Sequence, residues 1–158
     1  MTHLIKIYDI INDWIKTADQ KAMIFASLNV LGFFGYLITL DFSNLQTWYE
    51  WGALILFVIS GLTALILLVL VVYPRLDNKL KKSKIYFCHI ANKYKNDLET
   101  GVSDYCKLKA KDLEKDYASQ IVINSTIAKK KYTYLKYFAF TFISEIVLGV
   151  LLTFLVKL

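Results

Sequence analysis

A chain of 158 residues with 56% hydrophobic residues and a mean hydropathy of +0.43 is too apolar for a soluble domain of its size. Its net charge of +6 is unevenly spread, because residues 74–134 alone hold fourteen Lys and Arg against seven Asp and Glu. Two histidines without a metal-ligand partner at helical spacing, two cysteines outside any CxxC or Cys/His pattern, and no recognisable nucleophile motif argue against an enzyme, a metal site or a disulfide.

Residues 1–21 place Leu4, Tyr8, Ile11, Ile15 and Ala18 on one stripe at spacings of three and four, which continues to Ala22. The pattern predicts an amphipathic helix packed on its own protein. Asp9, Asp13 and Asp19 make it a poor partner for anionic lipid, and no cleavable signal peptide is expected. Nothing breaks this helix before residues 22–40, a run of nineteen uncharged residues ~28 Å long as a helix, about the thickness of a bilayer's hydrocarbon core. Ser27, Asn29 and Thr39 are too few to form a polar face, so the run reads as the first transmembrane span.

Residues 41–50 form a polar turn without Lys or Arg, and Trp48, Tyr49 and Trp51 fit an interfacial belt. Residues 51–73 give a second span, ended by Tyr73-Pro74-Arg75. The basic region 74–134 reads as two helices separated at Glu99-Thr100-Gly101, with Ser103 as a cap for the second. Residues 135–156 are long enough for a third span, with Glu145 inside it. This span and the preceding helix are compatible with one rod from about residue 103 to 156. The expected fold is therefore an all-α membrane protein with three transmembrane helices and a helical cytosolic region, its long helices continuing from cytosol into the bilayer. The lysine asymmetry between 41–50 and 74–134 places the N-terminus inside and the C-terminus outside.

Several side chains stand out against this frame. Asp19 and Lys21, at the inner edge of the first span, fit either a charged membrane switch or an ordinary interface anchor. Asn29 and Glu145 fall at similar depth, ~10–13 Å into their spans at 1.5 Å per residue, with Thr63 at the same level. An ionised Glu facing lipid is costly, so Glu145 should face the bundle, a water path or another subunit. The alternatives for the pair are a pore-lining role and a structural interhelical hydrogen bond. Lysines 79, 81, 82, 84, 129, 130 and 131 alternate with Tyr86, Phe87, Tyr132 and Tyr134. Such a set suits a phosphate and a stacked base, with Lys84, Tyr86, Lys130, Lys131 and Tyr132 as candidate nucleotide ligands. Anionic lipid favours the same lysines.

The stretch ADQKAMIFASLNV resembles the signature of the transmembrane effector family of bacterial Pycsar antiphage defence, A-D-x-K-A followed by an apolar run with Asn. Tyr73-Pro74-Arg75-Leu76, Tyr86-Phe87 and Lys130-Lys131-Tyr132 with Leu135 follow in the same order, while relatives often carry Gly where Cys88 stands. The resemblance implies an inner-membrane, multi-pass effector. Some relatives carry an N-terminal phosphohydrolase domain, and no enzyme activity is expected here because the residues show no catalytic motif. Its activating ligand would be a cyclic pyrimidine mononucleotide made by a neighbouring cyclase, and its partners the lipid bilayer and further copies of itself, with no nucleic acid. Such an effector compromises the inner membrane in response to the signal. The rival reading is a membrane scaffold that tethers a cytosolic partner through the 79–134 helices.

Overall fold

The structure is a computed structural model that describes residues 1–73, 83–95 and 97–157, without the side chains of residues 44, 87–89 and 157. The Pro74-Arg75 stop, lysines 79, 81 and 82 and the Cys88 side chain lie outside the described residues. Those residues form α1 (Thr2–Thr39), a short 3₁₀ turn (Phe42–Asn44), α2 (Trp48–Val72), α3 (Phe87–Lys93), α4 (Leu98–Cys106) and α5 (Ala110–Lys157), with no strand among them. Helices α1, α2 and α5 are each long and apolar enough to cross a membrane. The protein is all-α and membrane-spanning.

The chain divides into two compact units, one of Met1–Lys16 with Arg75–Ala128 and one of Thr17–Pro74 with Lys129–Leu158. In the second unit, α2 buries Ala53, Leu54, Phe57, Gly61, Ala64, Leu68 and Val71, a stripe at spacings of one, three and four. Its opposite side exposes Leu56, Ile59, Ile66 and Val69, as a lipid-facing surface does. Ala18, Ala22, Ala64, Leu68, Val71, Leu135 and Phe138 make one buried cluster, and the small residues in it allow helices to approach closely. At Gly61 the approach is tightest, since a Cβ there would overlap the Phe33 ring. The turn before α2 is fixed by Glu50, whose carboxylate accepts from the backbone N–H groups of Gln46 at 2.7 Å and Thr47 at 2.9 Å. Trp48, Tyr49 and Trp51 are exposed around it.

In the first unit, Tyr8 of α1 meets Tyr117 of α5 edge-on, with ring centroids 5.5 Å apart, and Asn124 donates to the side chain of Asn12 at 2.8 Å. The helix break expected at Glu99-Thr100-Gly101 is not there. Asp97 caps α4 by accepting from the Thr100 N–H at 2.9 Å, so the helix begins at Leu98 and runs through Gly101 and Ser103. Gly101 instead makes room for a ring, because a Cβ at this position would lie 3.0 Å from Cγ of Tyr94. One break falls between α3 and α4 and a second after Cys106, so the basic region holds α3, α4 and the start of α5 where two helices were expected. Helix α5 begins at Ala110, not near residue 103, and runs without interruption for 48 residues, ~72 Å at 1.5 Å per residue.

Candidate functional site

Three clusters of polar side chains could carry chemistry, two in the spanning unit and one in the basic unit. In the spanning unit, Asn29 of α1 and Glu145 of α5 meet in a hydrogen bond of 2.6 Å, the amide Nδ2 donating to carboxyl Oε2. Asn29 is 0% and Glu145 3% exposed. Asn29 lies seven residues past the start of its span at 22 and Glu145 ten past the start of its own at 135, so the similar depths counted from sequence agree with the contact. Thr63 does not join them, as its hydroxyl donates to the Ile59 carbonyl of its own helix at 2.7 Å. A cavity of about 300 Å³ opens beside Glu145, lined by Tyr36, Phe57, Phe142, Gly149 and Thr153, and the Tyr36 and Thr153 hydroxyls are 3.0 Å apart.

At the end of the same unit, Asp19 forms an ion pair with Lys131, whose side chain is 4% exposed. Lys21, two residues further along α1, stands 6.0 Å from the ring centroid of Tyr132. Of the residues singled out by sequence, Asp19, Lys21, Lys131 and Tyr132 thus pair with one another across α1 and α5. Lys130 is exposed beside them.

Lys84 and Tyr86 belong to the other unit. There Asp116 of α5 accepts from the Ser83 hydroxyl at 3.0 Å and from the Lys84 N–H at 2.7 Å, and Ser83 Oγ in turn accepts from the N–H groups of Ile85 and Tyr86 at 3.1 and 3.0 Å. This arrangement fixes the chain entering α3. The Tyr105 hydroxyl donates to the Lys84 carbonyl. Lys93 and the Tyr94 hydroxyl both donate to Asp104, at 2.9 and 2.7 Å. These bonds, that from Lys93 foremost, hold the Asp104 carboxyl below the usual carboxylate range. The same contact with Asp104 raises Lys93 above its ordinary value. Burial pushes the Tyr105 phenol up.

Between these groups lies a cavity of about 430 Å³, lined by Lys84, Lys93, Tyr94, Asp104, Tyr105 and Asp112, among others. Lys84 reaches Asp112 at 3.4 Å. Ammonium groups beside tyrosine rings can hold an anion attached to a planar ring, and an incoming anion competes with Asp104 and Asp112. Of the five sequence-predicted nucleotide ligands only Lys84 lines this cavity. Lys93, Asp104 and Tyr105 escaped the sequence reading because no spacing rule links residues on two short helices. Among the described residues no group of three His, Cys, Asp or Glu side chains stands close enough to hold a metal ion.

The fold and its polar clusters define a small three-span helical membrane protein with a basic helical unit. The chain belongs to the Pycsar effector family: the Pycsar effector protein domain matches residues 3–157, nearly its whole length. This makes it a membrane effector of antiphage defence. No curated protein and no solved structure matches the chain.

Proposed function

We propose that this effector responds to a cyclic pyrimidine mononucleotide and, as an oligomer, impairs the integrity of the inner membrane. The observation that carries the reading is the buried Asn29–Glu145 pair. Polar groups this deep in a span are costly and mark pathways more often than packing. Three helices of one chain enclose too little space for a wide pore, so several copies assemble around such positions. The cavity beside Lys84, Lys93, Tyr94 and Tyr105 supports ligand binding in the basic unit, with lysines toward the phosphate and tyrosine rings toward the base. The signal acts only through a difference in affinity between the resting and the leaking state. The protein performs no catalysis itself. Its N-terminus and basic unit are cytoplasmic, and its C-terminus is external.

The scaffold reading has one observation in its favour, the apolar residues Leu98 and Val102 standing 78% and 65% exposed on α4. Cells producing the protein, given cyclic CMP or cyclic UMP by a co-expressed cyclase, separate the two. Dye entry and loss of membrane potential that appear only with the nucleotide support the effector. Intact membranes, together with no heat of binding in titrations of the purified protein, leave the scaffold.

A further inference from the structure

Asn29 presents two polar atoms to the interior of the spanning unit, and only one of them is satisfied. Nδ2 donates to Glu145, while Oδ1 is shielded from solvent and has no donor. A buried acceptor without a donor is destabilising, and a buried carboxylate without a counter-charge is more so. Among the described residues no cation forms an ion pair with Glu145. Residues 22–40 of α1 and 51–73 of α2 carry no charged side chain, and Glu145 is the only charge in residues 137–156. The titratable neighbour on α1 is Tyr36, whose hydroxyl is engaged with Thr153. Elsewhere in the unit, the Lys131 ammonium is already taken by Asp19.

One proton resolves both defects. We propose that the Asn29–Glu145 pair is a proton-binding site and that Glu145 is a neutral carboxylic acid in the resting protein. The proton comes from solvent and forms an O–H bond on the carboxyl; nothing is oxidised or reduced. A carboxylic acid matches a primary amide atom for atom. Its carbonyl oxygen accepts from Nδ2 and its hydroxyl donates to Oδ1, closing a ring of two hydrogen bonds. The bundle then holds no net charge at this depth. Any arrangement that admits water to Glu145 binds the proton less tightly, so proton release and opening favour each other. The inference rests on the spanning bundle, not on the leak, and it stands or falls without any measurement of conductance.

Infrared spectroscopy of the purified full-length protein in lipid at neutral pH tests it. The expected spectrum contains the carbonyl band of one protonated carboxyl per chain, lost in Glu145→Gln and moved to higher frequency in Asn29→Leu as the amide partner disappears. The Gln variant should also melt with the parent at mildly acidic pH and above it at alkaline pH, because an amide needs no proton to complete the ring. A parent spectrum without such a band overturns the proposal, whether or not either variant folds. So does a band that Glu145→Gln leaves unchanged.

Discussion

Asp19 and Lys131, 112 residues apart in the chain, form an ion pair in which the ammonium is almost wholly buried while the carboxylate keeps about a third of its surface in solvent. The asymmetry predicts unequal costs. Asp19→Asn strands a charge in the bundle and should lower stability by about 3 kcal/mol. Lys131→Gln leaves a carboxylate that water can still reach, and should cost clearly less. Chemical unfolding in mixed micelles measures both, and the exchange of the two residues should recover part of the loss. Equal costs for the two single variants would contradict the burial pattern.

This pair also shows where sequence reasoning stops. The first two spans were legible because uncharged runs of nineteen and twenty-three residues have few other uses, and the third because residues 137–156 carry a single charge, Glu145. The meeting of Asn29 with Glu145 was half legible, since counting inward from the charged mouths of two spans puts them level. Lys131 was not. From sequence it is one of three consecutive lysines and a fair candidate for a phosphate; which of the three turns inward depends on the rotation of α5 against α1. The break in the basic region was misplaced for a similar reason. Gly101 reads as a helix end when alone, but as a helix interior once the Tyr94 ring is seen to need its space.

Gly61 and Gly52 sit on the same helix in opposite situations. A Cβ at Gly61 would overlap the Phe33 ring, whereas one at Gly52 meets nothing within 4 Å. Gly61→Ala should therefore destabilise the protein by about 1–3 kcal/mol through overpacking. Gly52→Ala should be neutral or stabilise by about 0.5–1 kcal/mol through helix propensity. Thermal unfolding of the two variants side by side checks the sign as well as the size.

The cluster of Lys93, Tyr94 and Asp104 predicts a pH response of the basic unit. Asp104 is held below its ordinary 3.8, so the stability it contributes is present above that value and is lost as pH falls through the lower folded value. Lys93 is raised above its ordinary 10.5, so its contribution is present below that value and is lost as pH rises beyond it. Between these limits the contribution is flat. Asp104→Asn should remove the acid-side loss due to this group, and added salt should weaken the effect, because these groups are exposed. Circular dichroism melts across acid pH, with and without the substitution, report it.

Ligand binding, if it uses the cavity in the basic unit, should depend on the lysines that line it. Lys84→Gln and Lys93→Gln should each weaken cyclic-nucleotide affinity about tenfold, the scale of one charge-assisted hydrogen bond. Lys131→Gln removes a charge that faces Asp19 and should leave affinity within about twofold. Titration calorimetry with cyclic CMP and cyclic UMP decides between these outcomes. A large loss from Lys131→Gln with none from Lys84→Gln would move the site away from the cavity.

Topology can be read from a thiol the protein already has. Cys106 is exposed at the end of α4, in the basic unit, and Gln46 is exposed in the lysine-free turn that precedes α2. The excess of basic residues in 74–134 over 41–50 predicts, by the positive-inside rule, that the first is on the cytoplasmic side and the second outside. In a Cys88→Ser background, a membrane-impermeant maleimide added to intact cells should leave Cys106 unmodified and label it after the membrane is permeabilised. Replacing Cys106 by Ser and introducing Gln46→Cys should reverse the pattern, with full labelling before permeabilisation. Cells for this test must lack the activating nucleotide, because a leak would admit the reagent and erase the difference. Labelling of Cys106 in sealed cells, with Gln46→Cys protected, would invert the orientation and place the lysine-lined cavity out of reach of a cytoplasmic nucleotide.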